Sequence, residues 1–160
     1  MTKKQVPKQR KSIIEQALLI SERVQLEDVR LIDCHCHQEP IAAEGKKTAH
    51  IKHSTQVHAN KNTGYVAVIP KFQLQAFTES QSSKPIISID ASFLLTYKLK
   101  DFDGLTKKGF VAFGDMNGVY NAWPYWREFV QNTIARMGLP TLTIPVFRIA
   151  SSKESPSASK

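Results

Sequence analysis

Apolar and polar positions divide the chain into a short helix, a run of strands and a longer helix followed by an extended tail. Ser12 followed by Glu15 is a capping box, in which each side chain satisfies a backbone donor left open at a helix start. Behind it Ile13, Ile14, Ala17, Leu18, Ile20 and Val24 recur at helical spacing, which predicts an amphipathic helix over residues 12–25. A helix of that length is marginal alone in water, so it must dock on the rest of the chain.

Period-two alternation then runs through residues 29–99 in four segments. In the first, Val29, Leu31, Asp33, His35 and His37 share one face and Arg30, Ile32, Cys34 and Cys36 the other. A polar loop with Glu44, Gly45, Lys46 and Lys47 leads to Thr48–Ala59, which sets Ala49, Ile51, His53, Thr55 and Val57 against His50, Lys52, Ser54, Gln56 and His58. The Asn60–Gly64 stretch has the size and residue types of a hairpin connection. In Tyr65–Phe77 the apolar face is Val66, Val68, Phe72, Leu74 and Ala76, and Pro70 predicts an edge strand or a bulge because it has no ladder donor. After turn-rich Glu79–Pro85 the fourth segment is the clearest, with Ile87, Ile89, Ala91, Phe93, Leu95, Tyr97 and Leu99 opposite Ser88, Asp90, Ser92, Thr96 and Lys98. One apolar face and one wet face imply an antiparallel sheet.

A helical region is predicted over 105–138. Its first part is loosely packed, because Gly104, Gly109, Gly114 and Gly118 weaken helix propensity while Leu105, Phe110, Val111, Phe113, Met116 and Val119 are too apolar for an exposed loop. In the main helix Pro124 suits the first turn, Asn121 is placed to cap it, and Gly138 ends it, with Arg136 near the negative end of the dipole. Trp123, Trp126, Val130, Ile134 and Met137 form one stripe, with Phe129 beside it. Pro140 forbids continuation, and residues 139–149 return to an extended pattern broken by Pro145. The fold class is α+β: a four-stranded antiparallel sheet, a C-terminal helical region packed on or beside it, and an extra N-terminal amphipathic helix.

The length of 160 residues suits a single domain, here residues 12–150, between a disordered arm (1–11) and a disordered tail (151–160). The net charge of +8 suggests an anionic partner until it is placed along the chain. Lys3, Lys4, Lys8, Arg10 and Lys11 crowd into the first eleven residues without an acid, whereas residues 12–150 hold 15 basic and 13 acidic groups. The body is therefore close to balance and carries no nucleic-acid footprint. Cys34 and Cys36 on a regular strand would lie about 6.6 Å apart, too far for an unstrained disulfide, which fits a reducing compartment. No signal-peptide pattern and no run of apolar residues long enough to span a membrane is present, so a cytoplasmic location is expected.

Asp33, His35 and His37 are the one tempting catalytic constellation, since two His at i and i+2 on a strand end can ligate a metal. A hydrolase of that type needs further ligands from later strands. His50, His53 and His58 all fall within one strand and do not face one way. The plainer expectation is a wet strand face bearing His, with the two Cys buried as small apolar residues. No nucleophile–base–acid set and no phosphate-cradling glycine loop is visible, so no catalytic residue, metal or cofactor is assigned.

Residues 121–149 hold two Trp, a Tyr, two Phe and three Pro. One helix stripe suffices to cover a sheet, so Trp123, Tyr125, Trp126 and Phe129 spread around a helix imply a second contact surface. This stretch carries a resemblance. Trp123-Pro124-Tyr125-Trp126-Arg127-Glu128, then Gly138, then Leu139-Pro140-Thr141-Leu142-Thr143-Ile144-Pro145-Val146-Phe147 resembles the C-terminal signature of SecB-family chaperones, across about 30 residues at motif level. The resemblance implies a cytosolic holdase without catalysis or ATP hydrolysis. It also implies assembly as a dimer of dimers and apolar grooves that hold unfolded preproteins or, in divergent members, antitoxins of toxin–antitoxin systems. Client or subunit contacts would then come from Trp123, Tyr125, Trp126, Phe129, Leu142, Ile144 and Phe147. The export members of the family are acidic where they dock the motor SecA, whereas this chain has a basic arm and a tail, SSKESPSASK, that is not acidic, so SecA docking is not implied. The alternatives are a basic adaptor that uses its N-terminal arm on an anionic partner, and a small metal-dependent hydrolase built on Asp33, His35 and His37.

Overall fold

The computed structural model describes residues 12–40, 47–79 and 83–148; the arm and tail expected at 1–11 and 151–160, and the loop expected around Glu44–Lys46, lie outside them. Helix α1 (Ile13–Arg23) starts at the capping box: Ser12 accepts from the Glu15 N–H, and the Ser12 N–H donates to the Glu15 carboxylate at 2.7 Å. The chain passes straight from α1 into strand β1 (Val24–Gln38), so the sheet begins before the alternation at Val29 suggested. Arg23 fastens this junction, with an ion pair to Asp101 at 2.8 Å and a bond to the Asp103 carbonyl at 3.1 Å.

Strands β2 (Lys47–Asn60), β3 (Tyr65–Thr78) and β4 (Ile87–Leu99) follow as an antiparallel meander. The Asn60 carboxamide oxygen accepts from the Asn62 and Thr63 N–H groups, and Gly64 takes φ +74°, so the β2–β3 hairpin closes as its residues dictate. The sheet order is β1-β4-β3-β2, which makes β3 and β4 the inner strands. Their apolar faces are buried throughout, from Val66 to Ala76 and from Ile87 to Leu99, whereas β1 and β2 are mostly exposed.

Two expectations about strands fail here. Pro70 marks neither an edge nor a bulge, because β3 is an inner strand. The β3–β4 ladder passes from Val68↔Leu95 to Lys71↔Ser92 in one register, and Ile69 and Pro70 stay unpaired with β4. A one-residue slip would turn Phe72 and Leu74 out of the core, so the sheet gives up a little local pairing instead. Nor does β1 alternate evenly. Its register on β4 shifts between Leu26 and Asp28 and again between Leu31 and Asp33. The second bulge reverses the phase, so Val29 and Leu31 lie on the face of Leu95 and Phe93 while Asp33, His35 and His37 lie on the other face, beside Ser92, Asp90 and Ser88.

One face of the sheet is covered by the helical layer. Helix α2 (Lys107–Phe113) is capped by the Thr106 hydroxyl and continues through a π-helical turn, Gly114–Gly118, into α3 (Val119–Arg136). The helix is therefore unbroken where Asn121 and Pro124 were expected to start a new one. Pro124 sits inside α3 on its exposed side, where it removes the N–H that would bond the Tyr120 carbonyl. Asn121 caps nothing; its amide donates to the Tyr97 hydroxyl at 3.0 Å. Gly138 lies in the left-handed region at φ +68°, and the Leu139 N–H reaches back to the Ile134 carbonyl at 3.2 Å.

The glycines of the π turn set the distance between helix and sheet. A β-carbon at Gly114 would run into Val57, and one at Gly118 would stand 2.5 Å from Val68 Cγ1. Val119, Ala122, Trp123, Trp126, Val130 and Ile134 then bury one stripe of α3 over the strands. Helix α1 packs on α2, where the Thr106 hydroxyl donates to the Gln16 side chain. No helix among the described residues is long and apolar enough to cross a membrane.

Two outcomes follow from this packing. Gly114→Ala and Gly118→Ala should each lower unfolding stability by about 1–3 kcal/mol through overpacking, measured by urea denaturation. Tyr97 is buried, and burial pushes its phenol above the ordinary tyrosine range, the Asn121 bond opposing this. A phenol raised in the folded state favours folding below the unfolded value and loses that contribution as pH rises through the folded one. Stability should therefore fall more steeply above about pH 10 in the native chain than in Tyr97→Phe, in parallel denaturation curves.

Candidate functional site

The seven aromatic and aliphatic residues singled out at the C-terminal end fall into two groups around one ring, Phe72 of β3. Alternation points Phe72 at the helical layer, and its neighbour across the ladder is Ala91 on one side and His53 on the other. Trp126 stacks on it with ring centroids 5.4 Å apart and an interplanar angle of 14°. Trp123, one helical turn earlier, meets it edge-on at 5.6 Å.

On the β2 side, Trp123, His53 and Phe147 form an aromatic cradle. Phe147 lies 5.1 Å from Trp123 and 5.8 Å from His53, and His53 lies 6.5 Å from Trp123. Phe147 arrives there because residues 139–148 fold back along the helical layer in an extended course, without regular secondary structure. Ile144 is buried, and the Trp123 indole N–H donates to the Pro145 carbonyl at 2.8 Å. Leu142 is half-buried against the core.

On the β1 side the surface is open. Phe129 lies beside Trp126, with centroids 6.3 Å apart, and is half-buried, while Tyr125 is 46% exposed. Leu26 and Leu31 of β1 share the helix-facing side of the sheet and are exposed, as is Ile32 in the bulge. Trp126 differs from the rest. None of its surface is accessible, and its indole N–H has no hydrogen-bond partner among the described residues.

The structure thus gathers Trp123, Ile144 and Phe147 at one place, puts Phe129 and Tyr125 on the opposite flank of α3, and leaves Trp126 in the core between them. Sequence reasoning missed His53 and Phe72 as parts of the site. His53 did carry a signal, since it is the one ring on the face of β2 that it shares with Ala49, Ile51, Thr55 and Val57.

The Asp33–His37 stretch forms no comparable site. His37 lies 3.4 Å from the Glu39 carboxylate, which a bond from Lys84 first and His37 second holds below the usual range. Cys34 and Cys36 face the helical layer but are exposed rather than buried, because edge strand β1 is not covered there. Partial burial, and then the neighbouring Cys34, push the Cys36 thiol up, while a hydrogen bond with Thr133 pulls it down. Among the described residues no group of three or more His, Cys, Asp or Glu side chains is placed to hold a metal ion.

No protein-family model matches the sequence, and no curated protein matches it significantly. Among solved structures, the chain is similar to the Mycobacterium tuberculosis Rv1957 SecB-like chaperone in complex with a ChAD peptide from the Rv1956 HigA1 antitoxin. The TM-score is 0.73 at 22% sequence identity, over 86% of this chain and 99% of that one. A protein of unknown function from Streptococcus agalactiae overlaps more loosely, with TM-score 0.46 at 9% identity over 76% of this chain and 96% of that one. The four-stranded antiparallel sheet, with one helix before it and a helical layer after it, is a SecB-like fold.

Proposed function

We propose that the chain is a divergent SecB-like chaperone that holds non-native polypeptide without catalysis or ATP, in antitoxin protection or in protein export. The observation that carries this is the aromatic cradle of His53, Trp123 and Phe147, set on a SecB-like fold at an exposed sheet edge. Aromatic rings offer large contact area at low entropic cost and tolerate many partner sequences, which suits a protein that holds varied unfolded segments. The similar mycobacterial chaperone is seen with a peptide from an antitoxin, which favours the antitoxin side of the proposal. Trp123 belongs to the client side, on the flank of α3 where Leu142, Ile144 and Phe147 also lie. Tyr125 and Phe129, beside exposed Leu26 and Leu31, belong to the side that meets another subunit. Trp126 supports both from the core.

Assembly into a tetramer, as a dimer of dimers, is part of the same proposal. Strand β1 is an edge of 15 residues whose outer backbone groups have no partner strand among the described residues, and it carries exposed Leu26, Leu31 and Ile32. A cytoplasmic site of action fits a client that has not yet folded. The near-neutral body and the basic arm give no support to docking on SecA, and among the described residues no converged ligand set stands behind the hydrolase alternative.

At one tetramer per client, the protein should suppress light scattering by an aggregating unfolded substrate without ATP; undiminished scattering would refute the chaperone proposal. Tyr125→Ala separates the two flanks of α3. A subunit contact of hot-spot strength, on the order of 2 kcal/mol, should lower the mass seen by light scattering at micromolar concentration, whereas a client contact would leave the mass unchanged and weaken protection.

A further inference from the structure

The extended segment that lies in the cradle is part of the chain itself, and its seating is uneven. Ile144 is 3% exposed and anchors it. Beyond Ile144 the hold is slight: Pro145 and Arg148 are exposed, Val146 is 57% exposed, and Phe147 is half-buried. Among the described residues, no backbone–backbone hydrogen bond joins residues 140–148 to a helix or strand. The bond from the Trp123 indole to the Pro145 carbonyl and the ring contacts of Phe147 with Trp123 and His53 are what hold the distal part. One neutral hydrogen bond and one half-buried ring stand against the entropy of ordering four residues, so the seated and released states are close in free energy.

The seated segment also has the chemistry of a client. It is without regular secondary structure and uncharged from Leu139 to Phe147, beyond Leu139 its main chain pairs with no described helix or strand, and it places an aromatic ring two residues beyond a carbonyl that accepts from an indole N–H. We infer that Pro145–Arg148 is a displaceable strap that occupies the aromatic cradle when no client is bound. A client of the same chemistry, an extended uncharged stretch with an aromatic ring, takes its place on Trp123 and His53 while Ile144 remains as the hinge anchor. This inference rests on the proposed chaperone function and adds regulation to it: Phe147 competes with the client and does not help to bind it.

The two roles predict opposite signs for one substitution. The probe is a fluorescein-labelled synthetic peptide with the sequence of residues 139–148, titrated against the full chain and against Phe147→Ala by fluorescence anisotropy. Reduced, carboxymethylated α-lactalbumin serves as an independent unfolded client. A strap seated about nine-tenths of the time lowers apparent affinity about tenfold, so Phe147→Ala should bind the peptide about tenfold more tightly than the native chain. In the native chain, saturation with lactalbumin should remove the nuclear Overhauser effects between the Phe147 ring and the rings of Trp123 and His53, a measurement that does not depend on how the variant folds. Equal or weaker peptide binding by Phe147→Ala, or persistence of these effects on saturation, would overturn the strap. If lactalbumin binds and the peptide binds neither protein, the strap is again refuted while the chaperone proposal stands. If neither probe binds either protein, the chaperone proposal fails and the strap with it.

Discussion

Trp126 lying flat on Phe72 is the contact on which the rest of the arrangement depends. It joins the middle of α3 to the middle of an inner strand, with both rings almost wholly inaccessible. Once that pair is in place, helical geometry carries Trp123 to the β2 side, where its ring meets Phe72 and His53 and its N–H reaches the Pro145 carbonyl. The same geometry carries Phe129 and Tyr125 towards β1. The contact forms because the helical layer comes close enough to the sheet, and Gly114 and Gly118 are the positions that let it do so against Val57 and Val68.

Burial is distributed in a way that suits a contact protein. The inner strands β3 and β4 and the inward stripe of α3 form most of one core. The outer strands contribute little to it. β1 and β2 keep most of their side chains exposed, and their outer backbone groups meet no other strand among the described residues. Here the polar groups are spread over the uncovered face of the sheet, and the apolar surplus collects at its two edges.

Much of the fold was legible along the chain because its signals are local. The capping box at Ser12 and Glu15, the Asn60–Gly64 turn, the alternation of β3 and β4 and the stop at Gly138 each depend on a few neighbouring residues and on backbone geometry. Where they misled, a non-local term had won. Pro70 reads as an edge residue by its missing donor, yet keeping Phe72 and Leu74 inward outweighs one interrupted stretch of ladder. The glycines at 114 and 118 read as helix breakers by intrinsic propensity, but they are what lets a continuous helix approach the sheet. The phase of β1 changes at two bulges whose cause lies in the partner strand, so Asp33, His35 and His37 left the face assigned to them.

The candidate site shows the same division. The sequence alone determined that residues 121–149 hold more aromatic surface than one helix needs to cover one sheet, since that follows from residue types and helical spacing. Only the tertiary structure decided how the surplus is partitioned: Trp126 into the core, Tyr125 and Phe129 towards β1, Trp123 and Phe147 towards β2 with His53 between them. That partition depends on where α3 crosses the strands and on the return path of residues 139–148. Both are set by packing between positions far apart in the chain, which no local pattern records.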